Sequence, residues 1–208
     1  MRVVVQRVSY ARVTRDVDDA GINFSSSNDA GKDFRSPNAS GNNSQISESG
    51  NNSQTTASGN NRVNALVDDH KTAGDADANN TSSVNTGLLV LLGIETGDYE
   101  NDVAYLTGKI SRLRIFDDEN GVMNLSVMDI KGEFLVISQF TLHAETKKGN
   151  RPSYIRAARP EQAIPLYELF LKQLHDLTGL TVKAGWFGAR MKVELANEGP
   201  VTIIMDSK

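Results

Sequence analysis

Four apolar residues, Phe134-Leu135-Val136-Ile137, run directly into Ser138-Gln139-Phe140-Thr141-Leu142. The first four have the composition of a buried strand, and the polar Ser138, Gln139 and Thr141 come where that strand runs out. Such ends are where a rigid sheet presents ligand-facing groups. A second motif, Asn197-Glu198-Gly199-Pro200-Val201-Thr202, lies about sixty residues further on. It places a Gly-Pro peptide between segments 190–196 and 201–205, both of which read as strands.

Outward from these motifs, apolar runs and turn punctuation give further strands at 3–8, 10–14, 88–94, 122–127 and 181–185, with the first motif inside a strand at 133–142. Asp98 is placed to cap a helix running to Arg114, with Val103, Leu106, Ile110 and Leu113 on one face. Pro160 opens a second helix. Leu166, Phe170, Leu174 and Leu177 form its stripe, Gly179 is its stop, and Pro165 marks a kink or a later start. The expected fold class is α/β, a mixed sheet with two main helices packed on it. Periodicity leaves the order of strands open.

The chain of 208 residues has a formal net charge of −4, which on its face argues against a polyanionic partner. The charge is unevenly spread. Residues 16–86 hold ten acidic and four basic side chains, leaving 18 basic against 16 acidic elsewhere, so the remainder is mildly basic. Lys147, Lys148, Arg151, Arg156 and Arg159 fall within thirteen residues, with Tyr154 among them. That run reads as a solvated loop or as a phosphate contact. Cysteine is absent, which excludes a disulfide framework, a thiol nucleophile and a thiolate metal site. The alternation of Val3, Val5 and Val8 with Arg2, Gln6 and Arg7 lacks signal-peptide form, and the apolar run 88–92 is too short to cross a bilayer. A soluble cytoplasmic protein with no membrane association is expected.

Segment 16–86 contains a nine-residue repeat, Ser40-Gly41-Asn42-Asn43-Ser44-Gln45-Ile46-Ser47-Glu48, then Ser49-Gly50-Asn51-Asn52-Ser53-Gln54-Thr55-Thr56-Ala57, then Ser58-Gly59-Asn60-Asn61. Stacked β-helix turns need inward apolar residues in each repeat, and Ile46 is nearly the only one. So polar a segment cannot offset the entropy of ordering its backbone, and disorder is expected. A surface hairpin tolerates such an insertion, because tens of extra residues add only ~2 kcal/mol of loop closure.

Hydrolytic equipment is sparse. The histidines are His70, His143 and His175; no His-Glu-x-x-His cluster and no Gly-x-Ser-x-Gly elbow occurs, so neither a metal hydrolase nor an elbow-type serine hydrolase is expected. Thr141 could act as a nucleophile, or its hydroxyl could bond backbone or substrate, since no neighbouring base is evident. His143 shares a side-chain direction with Thr141 if the strand continues, but reads as a surface residue. Ser138 and Gln139 read as positioning groups.

Both motifs resemble those of the D-aminoacyl-tRNA deacylases. The likeness covers Met1–Ala11 and about Gly87 to Asp206, roughly two-thirds of the chain, including Leu113-Arg114-Ile115-Phe116-Asp117-Asp118 and Lys147-Lys148-Gly149-Asn150-Arg151-Pro152-Ser153. It implies one homodimeric deacylase domain, 1–208, interrupted by an insertion at about 18–82 where the family has a short turn and strand. It also implies a cis Gly199-Pro200 peptide that each subunit carries into the partner's site, its carbonyls rejecting L side chains while glycine slips through. A generic Gly-Pro would be expected trans. Ser138, Gln139, Phe140 and Thr141 are then the catalytic motif, cradling the terminal adenosine and ester carbonyl while water attacks, aided by an RNA hydroxyl. Lys147, Lys148 and Arg151 become tRNA contacts, and Phe187 and Met191, in a Phe-Gly-Ala-x-Met pattern, a pocket wall. No metal or other cofactor is implied. Two related families, the editing domain of archaeal threonyl-tRNA synthetases and a deacylase with a trans Gly-Pro, share the fold. Ser138, Phe140 and Asn197-Glu198 separate this chain from the second. The rival reading is a non-catalytic RNA-binding or interaction module whose insertion recruits a partner.

Overall fold

The computed structural model describes residues 1–16 and 80–208. The nine-residue repeats, His70 and nearly all of the segment expected to be disordered lie outside the described residues. One strand, β1 (Arg2–Arg15), organises everything else. Along one edge it pairs antiparallel first with β3 (Gly87–Gly93), through Arg2 to Val8, and then with β2 (Thr81–Val84), through Ala11 to Thr14. Along its other edge it pairs with β8 (Met191–Asp206) over its whole length. Strands β6 (Glu133–Ser138) and β7 (Val182–Ala184) extend the sheet beyond β3 in parallel. A small antiparallel pair, β4 (Phe116–Asp117) with β5 (Met123–Leu125), stands apart. Helix α1 (Glu100–Ile110) lies between β3 and β4 in the chain, and α2 (Pro160–Thr178) between β6 and β7.

The apolar runs are continuous because the central strands are covered on both faces. In β6, Phe134 and Val136 face a large cluster that holds Val103, Leu106 and Ile110 of α1 with Leu166, Phe170 and Leu174 of α2. Leu135 and Ile137 face a second cluster with Val8, Ala11, Val13, Val84 and Leu89, and Trp186, Val193 and Leu195 close over it. Complete burial of each such side chain contributes roughly 1.5–3 kcal/mol. Tyr167 keys α2 to the sheet: its hydroxyl is fully buried and donates to the Val136 carbonyl at 2.8 Å. Burial pushes that phenol's pKa well above its ordinary value.

Several element boundaries depart from the sequence expectation. Segments 3–8 and 10–14 are a single strand, bent where its register against β8 shifts between Gln6 and Val8 and again between Val8 and Tyr10. Segments 190–196 and 201–205 are likewise one strand. Thr81 and Ser82, at the end of the segment assigned to the insertion, pair with Thr14 and Val13. The Arg15 amide donates to the Asn80 carbonyl at 2.8 Å, so the chain leaves and re-enters the described residues at adjacent points. The strand expected at 133–142 ends at Ser138, and 122–127 contracts to 123–125. Asp98 is not the cap of α1. It is buried, accepts from the Glu95 amide at 2.6 Å and lies 2.6 Å from the Met1 amino group, while Tyr99 holds the cap position. Helix α2 starts at Pro160 and passes through Pro165, whose missing N–H would have met only the Glu161 carbonyl in the exposed first turn. Leu177 is exposed, in a groove with Ala104, Arg112 and Met128 beyond the shared core.

Candidate active site

Parallel pairing carries β6 to its last rung, Ser138 against Leu92 of β3, and the Gln139 amide then donates to the Leu92 carbonyl at 2.7 Å. There the backbone leaves the sheet and winds into a short 3-10 turn, Phe140–His143. Alternation therefore stops at Ser138, and the motif's side chains are placed by a turn rather than by a pleat. Gln139 donates from its side-chain amide to the Thr141 hydroxyl at 2.5 Å. Both residues are partly exposed. Phe140 is 55% exposed and meets Tyr154 edge to face, with ring centroids 5.1 Å apart. His143 is buried, contrary to its reading as a surface residue, because the turn rotates it away from Thr141 and in against Gly93.

The turn leads into a strap, residues 144–158, that doubles back on itself. Glu145 and Ser153 exchange backbone hydrogen bonds of 2.8 and 2.9 Å, which leaves Lys147, Lys148 and Arg151 exposed around the hairpin tip. Arg156 does not join them. Its guanidinium is held by Glu95 at 2.5 Å. Arg159 sits at the N-cap of α2. The basic run is thus a cluster of three at the tip rather than a stripe of five.

The second motif forms a wide bulge in β8. Val8 opposes Asn197 and Gln6 opposes Thr202, so residues 198–201 loop out across from Arg7 alone. The Gly199-Pro200 peptide within it is cis, and both residues are exposed. Two groups hold the loop. The Asn197 side chain accepts from the Val201 amide at 3.0 Å and donates to the Thr202 hydroxyl at 3.0 Å. Arg7, only 5% exposed, donates to the Glu198 carbonyl at 3.1 Å, to the Ile115 carbonyl at 2.7 Å and to Asp117 at 3.2 Å. Gly199 has φ +116°, and a Cβ there would lie 2.7 Å from the Arg7 guanidinium and 2.8 Å from the Val201 side chain. A side chain there is strained by the backbone conformation and must displace the Arg7 guanidinium and the Val201 side chain.

Sequence reading grouped Arg7 with the polar Arg2 and Gln6, although strict alternation places it on the buried face of Val3 and Val5, which is the signal that could have found it. Only its burial and the skipped register opposite it reveal its task. Phe187 packs edge to face on Tyr167 at 5.7 Å, and Met191 brings its sulfur to 3.3 Å from the Trp186 amide nitrogen. Both are partly exposed. Within one chain, no hydrogen bond, ion pair or ring contact among the described residues joins the Gly199-Pro200 bulge to the Ser138–Thr141 turn.

Comparison with known proteins bears on what these two sites belong to. A family model described as D-Tyr-tRNA(Tyr) deacylase matches residues 67–206. The D-aminoacyl-tRNA deacylase of Flavobacterium johnsoniae is 58% identical over 132 residues, 64% of this chain and 88% of that protein. That of Bacteroides thetaiotaomicron is 61% identical over 127 residues, 61% of this chain and 85% of that protein. Among solved structures, the c-Myc DNA unwinding element binding protein aligns with a TM-score of 0.66 and 30% identity, over 100% of this chain and 99% of that one. A probable eukaryotic D-amino acid tRNA deacylase aligns with a TM-score of 0.60 and 12% identity, over 99% of this chain and 98% of that one, which is a likeness of fold. On the family model and on identity at this level, the chain belongs to the D-aminoacyl-tRNA deacylases, a family of hydrolases.

Proposed function

We propose that the protein hydrolyses the ester joining a D-amino acid to the 3′ end of tRNA, and that it acts as a cytoplasmic homodimer. The observation that carries this reading is the turn Gln139–Thr141, a set of partly exposed donors at the end of a rigid parallel strand, in a chain nearly 60% identical to curated deacylases. Preorganised donors stabilise the charge that develops on an ester carbonyl oxygen, and they do so without reorganising during the reaction. Ser138, Gln139, Phe140 and Thr141 hold the terminal adenosine and the ester carbonyl. Water is the attacking group, aided by a hydroxyl of the RNA. Lys147, Lys148 and Arg151 meet phosphates, and Phe187 and Met191 wall the pocket.

Handedness is judged by the Gly199-Pro200 bulge of the partner subunit. A filter made of main-chain carbonyls excludes an L side chain by contact and is indifferent to what a D side chain is. Glycyl-tRNA, which has no side chain to exclude, is a substrate as well. Support comes from the exposure of the bulge, from the two groups that fix it, and from its separation from the turn within one chain, which leaves a second copy to bring the two together.

The test follows release of D-tyrosine, L-tyrosine and glycine from charged tRNA by the purified protein. Loss of the D-ester and of the glycyl ester with retention of the L-ester is expected. Release of neither tyrosine leaves a non-catalytic RNA-binding module as the better reading. Sedimentation of the unliganded protein as a monomer at assay concentration removes the cross-subunit filter.

A further inference from the structure

We infer that His143 is a positioning residue for deacylation, joined through Glu95 and Arg156 to the strap that carries the basic tip; this rests on the deacylase reading above. His143 ends the turn that begins with the catalytic motif. Its residue is 5% exposed, its Nδ1 lies 3.8 Å from a Glu95 carboxylate oxygen, and its Nε2 is buried with no hydrogen-bond partner among the described residues. A leucine at this position would leave no ring nitrogen unsatisfied. A buried ring whose Nε2 has no partner among the described residues and whose Nδ1 stands beyond hydrogen-bond length from Glu95 therefore calls for an explanation other than packing.

Glu95 supplies one. Its other oxygen takes Arg156 at 2.5 Å, its main chain bridges Ala157, and its amide is held by Asp98 at 2.6 Å. The carboxylate is thus a fixed post between the catalytic turn and the strap's returning limb. The turn is gripped from the other side as well: Arg2 donates to the Leu142 carbonyl at 3.4 Å while paired with Asp206 at 2.7 Å. Gly93 makes the close approach possible, since a Cβ there would meet the His143 ring at 3.1 Å and the Gln139 carbonyl at 3.1 Å. Charge on Glu95 therefore bears on both the placement of Gln139 and Thr141 and the placement of Lys147, Lys148 and Arg151.

The test compares His143→Leu, Glu95→Gln and the double variant with the full-length protein. Steady-state deacylation of D-tyrosyl-tRNA is measured together with hydrogen exchange of the amides of residues 139–144. His143→Leu is expected to lower kcat about tenfold or more, the scale set by sub-ångström misplacement of catalytic groups, with KM little changed. The double variant should be no worse than the poorer single one. Amide exchange at 139–144 should quicken in Glu95→Gln, while protection of the β1–β8 ladder stays as in the parent. His143→Leu at parental kcat, or additive losses in the double variant, overturns the inference. Should the parent protein release no D-tyrosine, the deacylase reading fails by itself, and the exchange result alone decides whether His143 and Glu95 hold the turn.

Discussion

Removing the guanidinium of Arg7 while keeping its stem, Arg7→Met, tests whether the Gly199-Pro200 bulge is held from within its own subunit. Arg7 makes three contacts, and their losses differ. The bond to the Ile115 carbonyl is buried, so that oxygen cannot turn to water and costs about 1–3 kcal/mol when left alone. Glu198 is exposed and its carbonyl is rehydrated once the loop relaxes, so this bond contributes less. Asp117 is half exposed and contributes least. Against these stands relief from burying a cation, which returns part of the loss. A net destabilisation of about 2 kcal/mol remains, or roughly 4–8 °C in Tm for a domain of this size.

Stability and selectivity answer separate questions here. In the ladder the bulge is opposed by Arg7 alone, so its loss loosens residues 198–201, still tied through Asn197, without unzipping the β1–β8 ladder on either side. Thermal unfolding reads the first effect, and the ratio of D-tyrosine to L-tyrosine release reads the second. Arg7→Lys sharpens the test. A lysine carries the charge but lacks the planar fork, and cannot serve the Ile115 and Glu198 carbonyls together. It should recover part of the stability and little of the selectivity. An Arg7→Met protein with parental Tm and a parental D/L ratio would refute the assignment of Arg7 as the support of the bulge.

Gly199→Ala places a Cβ within 2.8 Å of two neighbours at φ +116°, and strain of about 1–3 kcal/mol at such a position should lower Tm and reduce the D/L ratio; an unchanged ratio removes Gly199 from the filter. Lys147→Ala with Lys148→Ala should weaken tRNA binding and reduce the slope of log affinity against log salt by about 1–2, whereas an unchanged slope marks the hairpin tip as merely solvated. Asp118 accepts from the Val122 and Asn120 amides and Asp129 from Ser126, which holds both carboxyls below the ordinary carboxylate range. Their stabilisation is full above the unfolded-state pKa of about 4 and is lost as pH falls through the lower folded values. Asp118→Asn with Asp129→Asn should therefore flatten the acid limb of Tm against pH below about 4 and leave the curve above pH 6 parallel to the parent; an acid limb as steep as the parent's refutes it.

Elements whose identity depends on local chemistry were legible in the chain. Pro160 and Gly179 bracket α2 because one needs no amide partner and the other accepts a left-handed backbone, φ 65° here. Val103, Leu106 and Ile110 lie on the buried side of α1 because helical spacing leaves them nowhere else to point. Asp98 shows where this reasoning stops. Its spacing suits a cap, yet the tertiary structure offers the Met1 amino group at 2.6 Å, and the stronger charge-assisted contact takes the side chain.

Register is the quantity that local chemistry cannot supply. Whether 190–196 and 201–205 are two strands or one depends on how far β1 runs beside them, and the composition of either segment is the same in both cases. The consequence reaches the site. Because β1 is continuous, the ladder must absorb the residues 198–201 as a bulge, and the residue left facing that bulge on β1 is Arg7, on the same buried face as Val3 and Val5. His143 follows the same logic at the other motif: once the parallel pairing of β6 ends at Ser138, the turn replaces the pleat and buries a ring that alternation would have left outside. In both motifs the sequence announces the exposed groups, while the residues that hold those groups in place are identified by their burial and contacts in the fold. A variant library chosen from the motifs alone would sample the first kind and miss the second, so Arg7 and His143 are the positions at which the structure adds most to the choice of experiment.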